Sequence, residues 1–205
     1  MFLITPLAFK IIYSYIPLGI FAIFFLLALF AYIWKPSWIS KILGWGIGIF
    51  AVTHITRAAY LAWAQYIVWQ GDRMGQLFLP PHQPISYFWH YSWTHFISIL
   101  PWVLGGAAVL GCIVLIIGIL SKGRMVDTID AQFAVFGALI AGWPDMLTFF
   151  IVSLAVALSG SIVYGIIKKQ NTLIPVTPFF FASIAITFIW GAKITAMLGL
   201  TQLIV

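Results

Sequence analysis

Long apolar runs fill most of this chain, and short polar or proline-containing breaks separate them. The runs cover approximately residues 15–34, 43–69, 85–100, 102–120, 130–142, 146–167 and 175–200. Runs near twenty residues match the length that a helix needs to cross a hydrocarbon core of about 30 Å. They are continuous rather than alternating, which favours helices over membrane-spanning strands. The pattern predicts an all-α, polytopic transmembrane bundle of about six to seven spans, built as a single membrane domain.

Composition narrows the class of protein further. Hydrophobic residues make up 63% of the chain and charged residues 7%, which excludes a water-soluble globular domain. The net charge of +6 is not arranged as a basic stripe on a soluble domain, so nucleic-acid binding is not expected. The single Cys112 excludes an internal disulfide and a paired-cysteine centre. Lipid is therefore the first expected partner, and no cofactor or metal site is predicted.

Basic residues at the breaks predict an orientation. With seven spans, six of them fall on one side: Lys10, Arg73, Lys122, Arg124, Lys168 and Lys169. Lys35 and Lys41 fall on the other side. Because cytoplasmic loops are enriched in Lys and Arg, we expect a cytoplasmic N-terminus. On this reading, residues 1–69 form N-terminal spans and residues 70–205 form a core.

Several short motifs follow one another in that core. Asp127-Thr128-Ile129-Asp130 begins an apolar segment that ends in Gly142-Trp143, and the next segment ends in Lys168-Lys169. Ile174-Pro175-Val176-Thr177-Pro178-Phe179 then opens the last segment. Asp72 lies 58 residues before Asp130 and shortly before Leu79-Pro80.

In order and spacing, these motifs resemble the type IV prepilin peptidases, a family of intramembrane aspartic proteases that also processes preflagellins. The likeness extends over about 130 residues, from 69 to 200. It implies an endopeptidase of the prokaryotic inner membrane with Asp72 and Asp130 as catalytic residues, and Asp127 as an alternative to Asp130. The implied substrate is a prepilin-like precursor, in which a short basic leader precedes a hydrophobic helix and is removed at the cytoplasmic face.

Such a peptidase needs two carboxylates close enough to share one proton. Ionising both at a separation of about 3 Å is unfavourable, so one stays protonated as the acid while the other activates water. The chain has no Glu, so only its four Asp residues can supply this pair. Asp145 is expected in a turn on the opposite side, without a catalytic role.

Two other functions remain open. The family's motif glycines are replaced here by Asp127 and Ile129, which favours a non-catalytic membrane subunit of a pilus, secretion or conjugation complex. In that case Asp130 serves as a helix cap or first-turn carboxylate. The third hypothesis is a haem or quinone protein in which His54 pairs with His90 or His95. Arg57, inside the second run, needs a partner from another span.

Overall fold

The computed structural model describes residues 15–122, 126–168 and 176–203, without the side chains of residues 161 and 164–168. Over these residues the chain is helical and contains no strand, which confirms the all-α prediction. The helices are α1 (Ile16–Trp34), α2 (Ile39–Gly71), α3 (Ile85–Leu120), α4 (Thr128–Ala141), α5 (Asp145–Lys168) and α6 (Thr177–Met197). Short 3-10 turns occupy Pro36–Trp38, Gly75–Phe78 and Leu200–Leu203. Of the residues singled out above, Lys10, Arg124, Lys169, Ile174 and Pro175 lie outside the described residues.

Within the part of the chain that the structure describes, four helices are long and apolar enough to cross a membrane: α1, the segment Pro36–Gly71, α3 and α6. Large apolar side chains such as Leu26, Trp45 and Ile116 are exposed on the outside of these helices. In water such a surface would be unfavourable, whereas lipid chains solvate it well. The chain is therefore compatible with a membrane protein that has several long apolar helices.

The predicted third and fourth spans are one continuous helix. Residues 85–100 and 102–120 were expected to be separated at Pro101, but α3 runs through it from Ile85 to Leu120. Two π-helical segments, Trp93–Ile97 and Pro101–Gly105, interrupt the α-helical geometry. Proline lacks an N–H and clashes with the preceding turn, and a wider turn accommodates both defects without ending the helix. This fusion changes which ends of the molecule the flanking loops occupy.

The short helix α4 forms the centre of the bundle. Eight of its 14 residues are buried, including Phe133 and Phe136. The ring of Phe149 on α5 lies against Gly137, where a Cβ would stand 2.2 Å from the nearest ring atom. A positive φ of 71° at Gly142 ends the helix, a conformation that glycine adopts without steric cost.

Contacts to α4 establish the direction of the other helices. Gly111 and Gly118 on α3 approach Val135 and Val126, so α3 runs antiparallel to α4. Gly46 on α2 approaches Phe136, and the His54 side chain bonds to the Leu139 carbonyl. Residue numbers of the contacting pairs increase in the same direction along α2 and α4, so these two helices are parallel.

One end of the bundle, which we call the basic end, holds the start of α4 together with Lys35, Lys41 and Lys122. Phe24 on α1 meets Gly46 on α2, so the turn at Lys35 lies at the same level as the start of α4. The prediction that Lys35 and Lys41 lie opposite Lys122 is therefore wrong. The error follows from the fused α3. When one span too many is counted, every later loop is assigned to the wrong side.

At the opposite end, α2 and α3 extend past the other helices. We call this part the hairpin projection: residues 58–71 of α2, the connection 72–84 and residues 85–101 of α3. At a rise of about 1.5 Å per residue, its α2 arm is roughly 20 Å long. Trp69 contacts Phe78, Phe88 and Tyr91 within it, so aromatic rings join the two arms.

Candidate functional site

Asp127 and Asp130 form a reciprocal cap at the start of α4. Oδ1 of Asp127 accepts hydrogen bonds from the backbone N–H groups of Ile129 and Asp130, at 2.7 and 3.0 Å. In return, the N–H of Asp127 donates to Oδ2 of Asp130 at 3.1 Å. This capping box satisfies N–H groups that have no partner within the helix. Both carboxylates are thus engaged with the backbone in a way that a structural role explains.

The other carboxylate oxygen of Asp130, Oδ1, accepts a hydrogen bond from helix α6. The Thr177 hydroxyl, in the first turn of α6, donates to Oδ1 of Asp130 at 2.9 Å. Asp130 is only 5% exposed and lies outside the four long apolar helices. Hydrogen bonds from the Asp127 N–H and the Thr177 hydroxyl satisfy this buried carboxylate. Asp130 therefore joins α4 to α6 at the basic end.

We expect Asp127→Ala to lower the free energy of unfolding by about 1–2 kcal/mol, because the start of α4 loses its N-cap acceptor. Asp127→Asn keeps an acceptor oxygen and should cost much less. Thermal unfolding of both variants in detergent micelles measures the difference. Equal losses in the two variants would contradict the capping role.

Asp72 has a different setting, at the far end of α2. It is exposed, and its Oδ2 accepts the backbone N–H of Gly75 at 2.9 Å. Carboxylates commonly hold a turn in this way by bonding a backbone N–H a few residues ahead. The interaction shapes the connection after α2.

Asp72 and Asp130 do not meet. The His54–Leu139 hydrogen bond marks a common level of the parallel helices α2 and α4. From that level Asp72 lies roughly 27 Å towards the hairpin projection, and Asp130 lies roughly 13 Å towards the basic end. The expected pair is thus separated by roughly 40 Å along the bundle axis. The alternative pair of Asp72 with Asp127 is separated by a similar distance, because Asp127 is also at the basic end.

The physical reason is the single helix between the two aspartates. Two spans between Asp72 and Asp130 would return the chain to the side it left, and the sequence prediction depended on that count. Because α3 is one continuous helix, the chain passes from the hairpin projection to the basic end between Asp72 and Asp130. Two carboxylates this far apart cannot share a proton or a water molecule.

The histidines are also dispersed. His54 donates from Nε2 to the Leu139 carbonyl at 2.8 Å, whereas His95 bonds the Tyr91 carbonyl at 2.9 Å and stacks on its ring. Phe88 packs on Tyr66, which places the neighbouring His90 roughly 15 Å along the axis from His54. Such a pair does not ligate one haem iron. Among the described residues, no group of three or more His, Cys, Asp or Glu side chains is arranged to hold a metal.

Arg57 lies one turn beyond His54 on α2. The two side chains, with Thr53, line a cavity of about 190 Å³ whose other walls come from α1, α4 and α6. Arg57 lies near the middle of the segment Pro36–Gly71, as the sequence predicted. That level coincides with the end of α4 and the base of the hairpin projection.

Sequence reasoning missed a polar cluster at Asp145. The Thr195 hydroxyl donates to Oδ1 of Asp145, and the hydroxyls of Thr148 and Thr195 are 2.7 Å apart. Asp145 was expected to be an unremarkable turn residue. Thr148 and Thr195, each inside an apolar run, were the available signal, because buried hydroxyls require partners.

Comparisons with known proteins identify no relative. No protein-family model, curated protein or solved structure matches this chain.

Proposed function

We propose that this chain is a non-catalytic membrane subunit of a larger assembly of the pilus, secretion or conjugation type. The observation that carries the proposal is the separation of roughly 40 Å between Asp72 and Asp130. Each of the two carboxylates has hydrogen bonds that a structural role accounts for. The order of motifs that resembles prepilin peptidases then reflects a shared scaffold rather than a shared reaction.

The hairpin projection supports a role in assembly. Its arms enclose an open groove of about 580 Å³ with an almost wholly apolar lining, in which Trp63, Tyr66 and Trp89 take part. Trp63 and Trp89 are 43% and 57% exposed. Protein interfaces are enriched in Trp and Tyr, and a few buried aromatic anchors contribute most of the binding energy. On this proposal, the hairpin projection binds a partner subunit that covers these rings.

Charge supports an orientation for the proposed subunit. Lys35, Lys41 and Lys122 lie at the basic end, and Arg73 lies on the hairpin projection. The positive-inside rule therefore assigns the basic end to the cytoplasm. On this assignment α1 begins on the outer side and the hairpin projection faces outwards, the reverse of the orientation expected from the sequence.

Processing of a precursor tests the proposal. Cells that make a prepilin-like precursor are given the wild-type chain, Asp72→Asn, Asp130→Asn or the double variant, and leader removal is followed by gel mobility. We expect leader removal to be the same in all four strains, because neither carboxylate has a reacting partner. Loss of processing in both single variants, with the chain still present in the membrane, would establish the peptidase instead.

A second measurement addresses assembly directly. Native gels of mild-detergent extracts give the size of the complex that contains the chain. We expect Trp63→Ala/Trp89→Ala to reduce that size towards the chain alone, because the double variant removes two exposed anchors. Trp45→Ala, which removes an exposed ring elsewhere, is the matched control and should leave the size unchanged. A wild-type chain that migrates alone would overturn the proposal.

A further inference from the structure

A small polar cavity lies between α4, α5 and α6, away from the candidate aspartates. It has a volume of about 220 Å³, and its polar lining residues are Asp145 and Thr187. Gly137, Ile140, Phe149 and Ile184 contribute apolar walls. Of all its lining residues, which belong to the described part of the chain, only Asp145 is charged.

Two hydroxyls, those of Thr148 and Thr195, donate in sequence towards Asp145. Thr195 uses its single proton on Oδ1 of Asp145. In the 2.7 Å contact with Thr148, Thr195 must therefore accept, and Thr148 donates. Both threonines are almost fully buried, at 0% and 2% exposure. This relay orients two neutral dipoles towards the carboxylate.

Thr187 supplies an independent observation. Its side chain lines the cavity, the residue is 6% exposed, and its hydroxyl has no hydrogen-bond partner. A buried hydroxyl without a partner is unfavourable by about 1–3 kcal/mol, so such groups usually bind ordered water or a ligand. Thr187 precedes Thr195 by two helical turns, roughly 12 Å along α6. The cavity volume of about 220 Å³ has room for several water molecules between Asp145 and Thr187.

From this geometry we propose that the cavity binds one hydrated alkali cation, Na⁺ or K⁺, at the Asp145 carboxylate. Carboxylate, hydroxyl and water oxygens are hard ligands that suit a hard cation. A single carboxylate supplies one negative charge, which matches a monovalent ion and falls short of the ligand charge usual for Ca²⁺. Thr187 then bonds to a cavity water molecule that in turn bonds to the ion's hydration shell. This inference does not depend on the proposed function.

Two other features bear on the charge of Asp145. It lies in the first turn of α5, where the helix dipole already offsets part of the carboxylate's negative charge. The lysine of α6, Lys193, is exposed and does not line the cavity. The dipole stabilises the carboxylate, but it does not fill the cavity or give the Thr187 hydroxyl a partner. A hydrated cation with the cavity water around it does both.

Thermal unfolding of the purified full-length chain tests the site. Melting temperatures are recorded in NaCl, KCl and choline chloride at equal ionic strength, and isotopic sodium binding gives the stoichiometry. We expect saturable stabilisation by Na⁺ or K⁺ but not by choline, with about one ion per chain. Asp145→Asn should weaken the apparent affinity at least about tenfold, since it removes the only ionic ligand. Thr187→Val should weaken it severalfold.

Asp72→Asn is the matched control, since it removes a carboxylate from the hairpin projection and should keep the full response. Equal melting in all three salts without bound sodium means that water alone fills the cavity, which overturns the proposal. A response that survives in Asp145→Asn also overturns it. If Asp145→Asn does not fold, Thr187→Val decides, because an unchanged affinity in that variant refutes the hydrated site.

Discussion

Spin labels at positions 72 and 127 should report a distance greater than about 35 Å. Both aspartates are exposed, so labels at these positions stay outside the core. A label at position 127 removes the N-cap of α4, an expected loss of about 1–2 kcal/mol, and it lies beside Asp130 at the basic end. The expected value follows from the parallel packing of α2 and α4 and from the helical rise. Cys112 is first replaced by Ser so that only the two introduced cysteines react. Double electron–electron resonance of the chain in lipid nanodiscs measures the separation.

A second pair, at positions 35 and 127, controls for label flexibility. Both sites lie at the basic end, and neighbouring helices pack at about 8–10 Å between axes, so a distance of about 20 Å is expected. The distance from 72 to 127 should exceed that value clearly. A short distance for the 72/127 pair would bring the aspartates to one membrane face and restore the two-carboxylate mechanism.

Gly137→Ala should lower the free energy of unfolding by about 1–3 kcal/mol, the usual effect of overpacking a tight core. The added methyl group would stand 2.2, 2.6 and 2.8 Å from three atoms of the Phe149 ring. That ring is 1% exposed and cannot move aside easily. Unfolding in a series of mixed micelles with a denaturing detergent measures the loss.

Gly48→Ala is the matched control, because nothing lies within 4 Å of the position of its Cβ. Alanine is the better helix former by about 1 kcal/mol, so this variant should be neutral or more stable. Combining Gly137→Ala with Phe149→Leu should cost less than the sum of the two single changes, since the clash is then relieved. Strict additivity would show that Gly137 and Phe149 do not constrain each other.

Sequence patterns determine the class of fold here because lipid imposes a simple rule. Continuous apolar runs must satisfy their backbone groups internally, so helices were predicted at nearly every position where the structure has them. The pattern does not reveal whether a proline ends a helix or is absorbed by π turns, as Pro101 is. The residues around Pro101 do not by themselves distinguish these two outcomes.

That single uncertainty had a large effect on the candidate site. The placement of Asp72 with Asp130 depended on an even number of spans between them, and one fused helix moved them to opposite ends. Spacing along the sequence carries no information about direction in space. A structural role for Asp130, in contrast, was among the alternatives beforehand, because an acidic residue at the start of a helix commonly serves as a cap or a first-turn carboxylate.

The position of α4 has a consequence for how the chain reaches its folded state. With 14 residues, α4 is shorter than the roughly 20 that a free-standing membrane helix requires. Phe133 contacts Phe180 and Phe181, and Asp130 bonds Thr177, so part of the environment of α4 is supplied by α6, a helix that leaves the ribosome later. Stable integration of α4 into the bilayer is therefore completed only after translation of α6, and until then this buried carboxylate lacks the hydroxyl that satisfies it.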